Sequence, residues 1–466
     1  MNIIKRSMIN NTNKKLLLIN PFNQSKRDDL IDKRSISPPL GLGMIAGLTP
    51  SNWDVEIIDE NFDIFKYKEA DLVGITVLTS AAYRAYEISE IYRKKGIITI
   101  LGGIHVSMLP DEAEQYADVV VTGEAEVVWK QVLADFAADK LKKRYVGELV
   151  GLENSVHPRR DLFHPEYTYS NIQTTRGCPM RCDFCSVHTF NGRNYRERPV
   201  DEVLDEIETI DDERLFFVDD NLIGYTKKSA KRAIALFKGM IARGIKKDWY
   251  CQASLNIADN EEVLKYAAES GCRMILIGIE SEKIDQLQET NKKMNIKIGV
   301  DHYEESFQRI HKYGISVLGA LVFGLDSDSI EDIENRTQFA INSGIDAMQA
   351  TIVTPLPGTN LFKRLVKEDR LLYTNYPKDW EHYHFLEVSH KPIKMTAEEL
   401  STAMEKCWTA LWNKKTVYKK MLTTLKQTKN VKAAAWAFAS NTERHDLAFG
   451  NQKASWDIDK ILKGLH

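Results

Sequence analysis

The chain has 466 residues, enough for two or three domains. Charged residues at 28% and apolar ones at 43% describe an ordinary globular protein, and a formal charge of −3 gives no global attraction to nucleic acid. No apolar run approaches the roughly 18 residues that read as a membrane span, and the polar start from Met1 to Lys15 lacks the apolar stretch of a signal peptide. A cytoplasmic protein is expected, with its six cysteines kept reduced.

Five short apolar runs lie in residues 1–140: 15–20 (KLLLIN), 55–59 (VEIID), 72–77 (LVGITV), 97–101 (IITIL) and 118–122 (DVVVT). Rich in β-branched residues and separated by crossover segments, they predict the buried strands of a parallel, doubly wound, Rossmann-like sheet. Ligands on such sheets bind at the carboxyl ends of the strands. Those ends carry Leu40 and Gly41, then Thr76, Leu78 and Ser80, then Gly102, Gly103 and His105, then Gly123 and Glu124. No G-x-G-x-x-G opens the first helix, which argues against a plain dinucleotide site. The Gly102-Gly103 pair beyond a Thr-Val-Leu turn resembles the cobalamin-binding domain instead. That resemblance implies that these residues face the corrin, with glycines letting it approach the backbone. The family's D-x-H-x-x-G motif is absent: after Asn20 the chain reads Pro21-Phe22-Asn23-Gln24-Ser25-Lys26. No axial histidine is therefore expected from that loop. His105 is the one histidine on the predicted face, with a loop histidine bonded to backbone as the alternative. A degenerate domain that binds nothing is a further alternative.

Residues 141–168 read as a linker, with Pro158, Arg159, Arg160 and Pro165. It leads to Cys178, Cys182 and Cys185 in the spacing C-x-x-x-C-x-x-C. Three clustered thiolates can hold three irons of a 4Fe–4S cube and leave the fourth open to a substrate. Such an iron suits one-electron cleavage of S-adenosylmethionine, whose amino and carboxylate groups can chelate it. The alternative is a Cys3His zinc site completed by His188, although zinc sites usually pair two separated knuckles. Arg176 and Arg181 are expected to make the loop electropositive and favour thiolate. With the aromatic Phe184 between the last two cysteines, the segment resembles the radical S-adenosylmethionine superfamily.

Strands and helices alternate again afterwards. Expected strands are 172–175, 215–218 (LFFV), 249–253 (WYCQA), 274–279 (MILIGI), 317–323 (VLGALVF) and 347–353 (AMQATIV), with helices such as 200–210 and 260–270 between them. Six β/α units make a partial barrel, short of the eight that close one. The resemblance implies such a barrel over residues 169–385. It also implies S-adenosylmethionine contacts from Phe184, from Glu280 at the fourth strand end, and from Thr354 and Pro355 in the sixth-strand loop. Ser254 ends the third strand and can reach the ribose or carboxylate. Capping of the next helix is the alternative role for Glu280. The family's usual Gly-Gly-Glu is replaced by Asp219-Asp220-Asn221. A carboxylate there still supplies a strong acceptor for the methionyl ammonium, from either Asp219 or Asp220. Arg193, Arg196 and Arg198 follow the cysteine loop, with surface salt bridging as their plain role.

Residues 386–466 read as a helical tail. From Lys406 to Thr442 it has eight lysines and no acidic residue, with Trp408, Leu411, Trp412, Tyr418 and Met421 near helical spacing. A basic amphipathic helix of this kind suits an anionic membrane surface, or else docks on the barrel with its lysines in water.

The resemblance covers about residues 15–390 and is to cobalamin-binding radical S-adenosylmethionine enzymes. It implies three cofactors: a 4Fe–4S cluster, S-adenosylmethionine and cobalamin. The implied activity is methylation of an unactivated carbon in a small molecule or lipid, with electrons from a reductant such as flavodoxin or ferredoxin. Radical cyclisation or oxygenation without methyl transfer is the second enzymatic reading. A non-catalytic iron–sulfur or zinc protein is the reading from another class.

Overall fold

A computed structural model describes residues 13–23, 36–449 and 456. The polar N-terminus, the later part of the first-strand loop and the end of the tail lie outside the described residues.

The first sheet is wholly parallel. Its strands are β1 (Lys14–Asn20), β2 (Trp53–Asp59), β3 (Leu72–Thr76), β4 (Ile98–Gly102), β5 (Val119–Gly123) and β6 (Arg144–Gly147), in the order β2-β1-β3-β4-β5-β6. Alternation along each strand feeds two cores. Leu17, Ile19, Val73 and Ile75 pack under the helix Ala82–Arg93, while Leu16, Leu18 and Leu72 face the helices Leu40–Leu48 and Ala125–Ala137. That is the doubly wound arrangement expected, and the order reverses between β1 and β3, where such sheets open a crevice. β6 falls in the stretch read as linker. Only four residues long and preceded by lysines, it carried no periodic signal.

The second sheet is also parallel: β7 (Ser170–Ile172), β10 (Arg214–Phe217), β11 (Asp248–Ala253), β12 (Cys272–Glu280), β13 (Ser316–Phe323) and β14 (Ala347–Ile352), in sequence order and without closure. These are the six expected units. Between β7 and β10 the two-residue strands β8 (Thr175–Arg176) and β9 (Arg196–Glu197) pair antiparallel and pinch the cysteine loop at its base.

The segment Tyr373–Glu387, though beyond the barrel strands, packs on the first sheet. Trp380 is buried among Val77, Ala82 and Tyr86, and its Nε1 donates to both oxygens of Glu112 at 3.0 and 3.1 Å. Gly358 faces the same way: a side chain there would strike the Met108 sulfur.

The tail forms the helices Ala397–Trp412, Lys414–Thr428 and Val431–Phe449. Its aromatic stripe does not face outward. Trp408, Leu411, Trp412 and Val417 are buried in the barrel's core, and Trp408 Nε1 donates to the Ala350 carbonyl at 3.1 Å. Lys420 is buried as well, with Nζ donating to the carbonyls of Ala340, Ser343 and Ile345, and burial holds its pKa down to about 8. Of the two readings of the tail, docking on the barrel is the one that holds: the helical spacing is as expected, and the barrel covers the apolar face. Among the described residues no helix is long and apolar enough to cross a membrane.

Candidate active site

The cysteine loop runs from Gly177 to Tyr195. Cys178 N–H donates to the Gly192 carbonyl, and Cys185 N–H to that of Cys182. Outside contacts pin the loop: Asp183 N–H donates to Thr290, Leu361 N–H to Asp183, and Asn291 Nδ2 to the Arg181 carbonyl at 2.7 Å. Cys182 is buried, and Cys178 and Cys185 are half-buried. Burial pushes the thiols of Cys182 and Cys185 up, Cys185 to about 12, and Lys292 is the cation that offsets it for both. The expected role of Arg176 is corrected: it turns away to Glu124 and Glu126. Such thiols ionise readily only against a strong Lewis acid, which fits iron ligands. Among the described residues, no three His, Cys, Asp or Glu side chains converge on a single metal position.

Around the loop stands a ring of polar groups. The Tyr225 hydroxyl lies 3.3 Å from the Cys178 sulfur and 3.4 Å from Ser254 Oγ, which accepts from Asn221 Nδ2 at 3.0 Å. Asp219 is fully buried, and its Oδ1 accepts from the Thr174 N–H, from Thr174 Oγ1 at 2.8 Å and from Thr175 Oγ1 at 2.6 Å. It fastens β10 to β8. Asp220 accepts only from Asn191 Nδ2, at 2.9 Å, and burial pushes its carboxyl up to about 6. Glu280 ends β12 in the left-handed backbone region, with φ at +61°, a position that costs a non-glycine residue energy and is enriched at functional sites. It caps no helix; its carboxylate accepts from Lys292 Nζ at 2.5 Å. Burial lowers the pKa of Lys292, but Glu280 and Cys182 outweigh this and hold it above its ordinary value. Phe184 packs against Val322, Leu325 and Val353, beside buried Thr354 and Pro355 at the end of β14.

Neither Tyr225 nor Lys292 is flagged by the cysteine motif. Tyr225 follows the Asp219-Asp220-Asn221 turn closely, which is a usable signal. Lys292 is brought in by the loop after β12, and its sequence surroundings carry no pattern.

On the first sheet the expected residues divide. Leu78 is 57% exposed, and a side chain at Gly41 would meet nothing within 4 Å, so both face open space as a bulky ring system requires. Thr76 and Ser80 are half-buried at the same edge. Gly103 has φ at +103°, and a Cβ would press on the Val77 backbone at 3.0 Å; Gly123 has φ at +71°, and a Cβ would strike the Gly147 carbonyl. These two serve the local chain path. At Gly102 a Cβ would make only ordinary contact. Of the two readings of His105, a histidine bonded within the fold is the one its surroundings favour: it is fully buried, with Nδ1 3.3 Å from Thr79 Oγ1 and Nε2 3.2 Å from Glu112. The Glu124 carboxylate is taken up by Arg176 and Arg196. The open strand edge fits cobalamin, and the cysteine loop fits a cluster.

Residues 172–340 match the Radical SAM superfamily, and residues 30–133 match the B12 binding domain. Over 412 residues the chain is 30% identical to bacteriochlorophyllide d C-12(1)-methyltransferase of Chlorobaculum tepidum, covering 83% of this chain and 85% of that protein. Over 355 residues it is 28% identical to hopanoid C-2 methylase of Rhodopseudomonas palustris, covering 73% and 67%. Among solved structures, the radical S-adenosylmethionine methyltransferase TsrM from Kitasatospora setae is similar with a TM-score of 0.69 at 14% identity, over 97% of this chain and 99% of that one. At that identity the likeness speaks for the fold.

Proposed function

Since the chain belongs to the cobalamin-binding radical S-adenosylmethionine enzymes, we propose that it transfers a methyl group to a carbon of a small molecule or lipid. The observation that carries this reading is the adjacency of two cofactor-sized faces. Glu124 at the end of β5 holds both arms of the cysteine loop, so the loop sits beside a strand end of the first sheet. When bound, the cluster, S-adenosylmethionine and cobalamin together supply reductive cleavage and a methyl donor.

The chain's own residues take these roles. Cys178, Cys182 and Cys185 hold three irons. Lys292, steered by Glu280, meets the carboxylate of S-adenosylmethionine as a charge-assisted donor. Asp220 accepts from the methionyl ammonium, since it has a single donor of its own, whereas Asp219 is fully buried and tied to Thr174 and Thr175. Ser254 and Tyr225 offer hydroxyls to the ribose side. Phe184, Thr354 and Pro355 flank the adenine and keep water from it. Leu78 and the open edge at Gly41 lie under the corrin.

The test is anaerobic reconstitution with both cofactors, using S-adenosylmethionine labelled in its methyl group, against a panel of apolar ring compounds and lipid extracts. A product carrying the labelled methyl, formed together with 5′-deoxyadenosine, is expected. Consumption of substrate with 5′-deoxyadenosine formed and no label transferred would replace methyl transfer by cyclisation or oxygenation.

A further inference from the structure

The second sheet has two unlike faces, because successive side chains along a strand point opposite ways. Phe217, Trp249, Cys251 and Val317 belong to the large core under the barrel's helices. On the other face, Met274, Leu318 and Tyr250 cluster with Ala437 and Trp436 of the tail helix Val431–Phe449. Asn441 fixes that helix along the edge strand β14: its Nδ2 donates to the Asp346 carbonyl at 2.9 Å, and its Oδ1 accepts from the Met348 N–H at 3.1 Å. Helix and sheet do not close on one another, and a cavity of about 330 Å³ lies between them. Tyr169 just before β7 and Arg214 at the first position of β10 line it, which places it where the strands begin. The cysteine loop stands at the opposite, carboxyl ends of these strands.

The wall of the cavity is aromatic. Tyr250 stacks on Phe216 with ring centroids 4.1 Å apart and planes 2° apart, and Trp436 meets the Tyr250 ring at 5.4 Å. Tyr169 stands edge-on to Tyr250 at 6.0 Å. Its charges are few and unbalanced. The Arg214 guanidinium is exposed and has neither an ion pair nor a hydrogen bond among the described residues. Arg444 gives Nη1 to Glu443 and Nη2 to Gln349, each at 3.0 Å, and its Nε is buried without a partner. Glu443 is the one carboxylate among the lining residues, so two guanidiniums face a single acid. Ligand sites commonly combine such a volume with apolar walls and a few placed polar groups. We propose that this cavity is a second binding site, distinct from the cofactor cleft, and that it takes a planar aromatic compound bearing a carboxylate. The rings lie against Tyr250 and Trp436, and the carboxylate meets Arg214 in charge-assisted hydrogen bonds. Nothing in this site depends on the cofactors or on methyl transfer.

The experiment is equilibrium dialysis of the cluster-loaded protein against 1-pyrenebutyrate, with the neutral 1-pyrenebutanol as its control. One equivalent of the acid should bind, several-fold more tightly than the alcohol, because only the acid carries a charge for the arginines. Ala439 lines the cavity from an exposed helix position, so Ala439→Trp fills the space without entering the core. That variant should bind both compounds at least tenfold more weakly. Arg214→Glu should weaken the acid about tenfold and leave the alcohol within about twofold. Failure of both compounds to bind, equal affinity for acid and alcohol, or an A439W variant that binds both like wild type overturns the proposal. Should A439W fail to fold, R214E decides: equal effects on the two compounds, or none on either, overturn it. Dialysis involves no turnover, so failure of this site and failure of the proposed chemistry are told apart.

Discussion

Arg196 donates twice to Glu124, Nη1 to Oε2 at 3.0 Å and Nη2 to Oε1 at 2.7 Å. This pair ties the base of the cysteine loop to a strand end of the other sheet. Arg176, on the opposite arm of the loop, brings Nη1 to 3.0 Å from the same Oε1. One buried carboxylate therefore sets the spacing between the two cofactor faces.

Loss of that carboxylate should be felt in stability and in cluster retention. Replacing Glu124 by Ala takes the only carboxylate from the largely buried Arg196 and leaves Arg176 with Glu126 alone; breaking a buried pair in this way typically costs about 3–5 kcal/mol. Burial alone would raise the Glu124 carboxyl, but hydrogen bonds from Arg196 and the charge of Arg176 hold it below the ordinary value of 4.5. A depressed carboxyl contributes its stability above 4.5 and loses it as pH falls through the lowered value. Urea unfolding of wild type and E124A should thus differ by several kcal/mol at neutral pH and converge in acid. A gap that persists undiminished well below pH 4 would mean that the charge of Glu124 is not what matters.

The two sheets were legible in the sequence because buried parallel strands are short, β-branched runs between crossovers, and the cysteines because their spacing is local. The rest depended on distant neighbours. The aromatic-rich stretch around Trp380 has no period of its own; its place is set by Glu112 and His105, far back in the chain. Glu124 looked like a ligand residue because it stood at a strand end, and only the folded chain brings Arg176 and Arg196 to it. Helical spacing in the tail revealed a stripe but not what covers it.

That stripe gives a second expected outcome. Trp412→Ala should cost about 3–5 kcal/mol, as large-to-small changes in packed cores do, because its ring is 2% exposed within the barrel core. Flotation with anionic vesicles should not depend on this ring. Unaltered thermal stability together with lost vesicle binding would return the ring to the surface.

Asp219 and Asp220 should separate cleanly. Asp219→Ala strips acceptors from Thr174 and Thr175 in the interior and is expected to yield little folded protein. Asp220→Asn should fold, retain its iron, and bind S-adenosylmethionine at least tenfold more weakly. Burial raises the Asp220 carboxyl to about 6, so its neutral form is favoured in the folded protein. A raised carboxyl adds stability below its ordinary value and loses it as pH rises through about 6. The ionised form that binding requires is then scarce below pH 6, where wild-type affinity should fall while that of the Asn variant stays flat. Equal pH profiles for the two proteins would remove Asp220 from the ammonium site.

Lys292 and Glu280 can be tested as a pair. Lys292→Met leaves the Glu280 carboxylate buried with no cation at 2.5 Å, and removing one partner of a buried pair costs more than removing both. The E280Q/K292M double variant should therefore recover much of the stability that K292M loses. Binding behaves differently if Lys292 meets the carboxylate of S-adenosylmethionine, because no neutral side chain replaces that charge. Electron spin resonance of the reduced cluster should then change on adding S-adenosylmethionine to wild type and show no change with either variant at the same concentration. A double variant that regains both stability and the spectroscopic response would make the pair a structural brace, with the carboxylate held elsewhere.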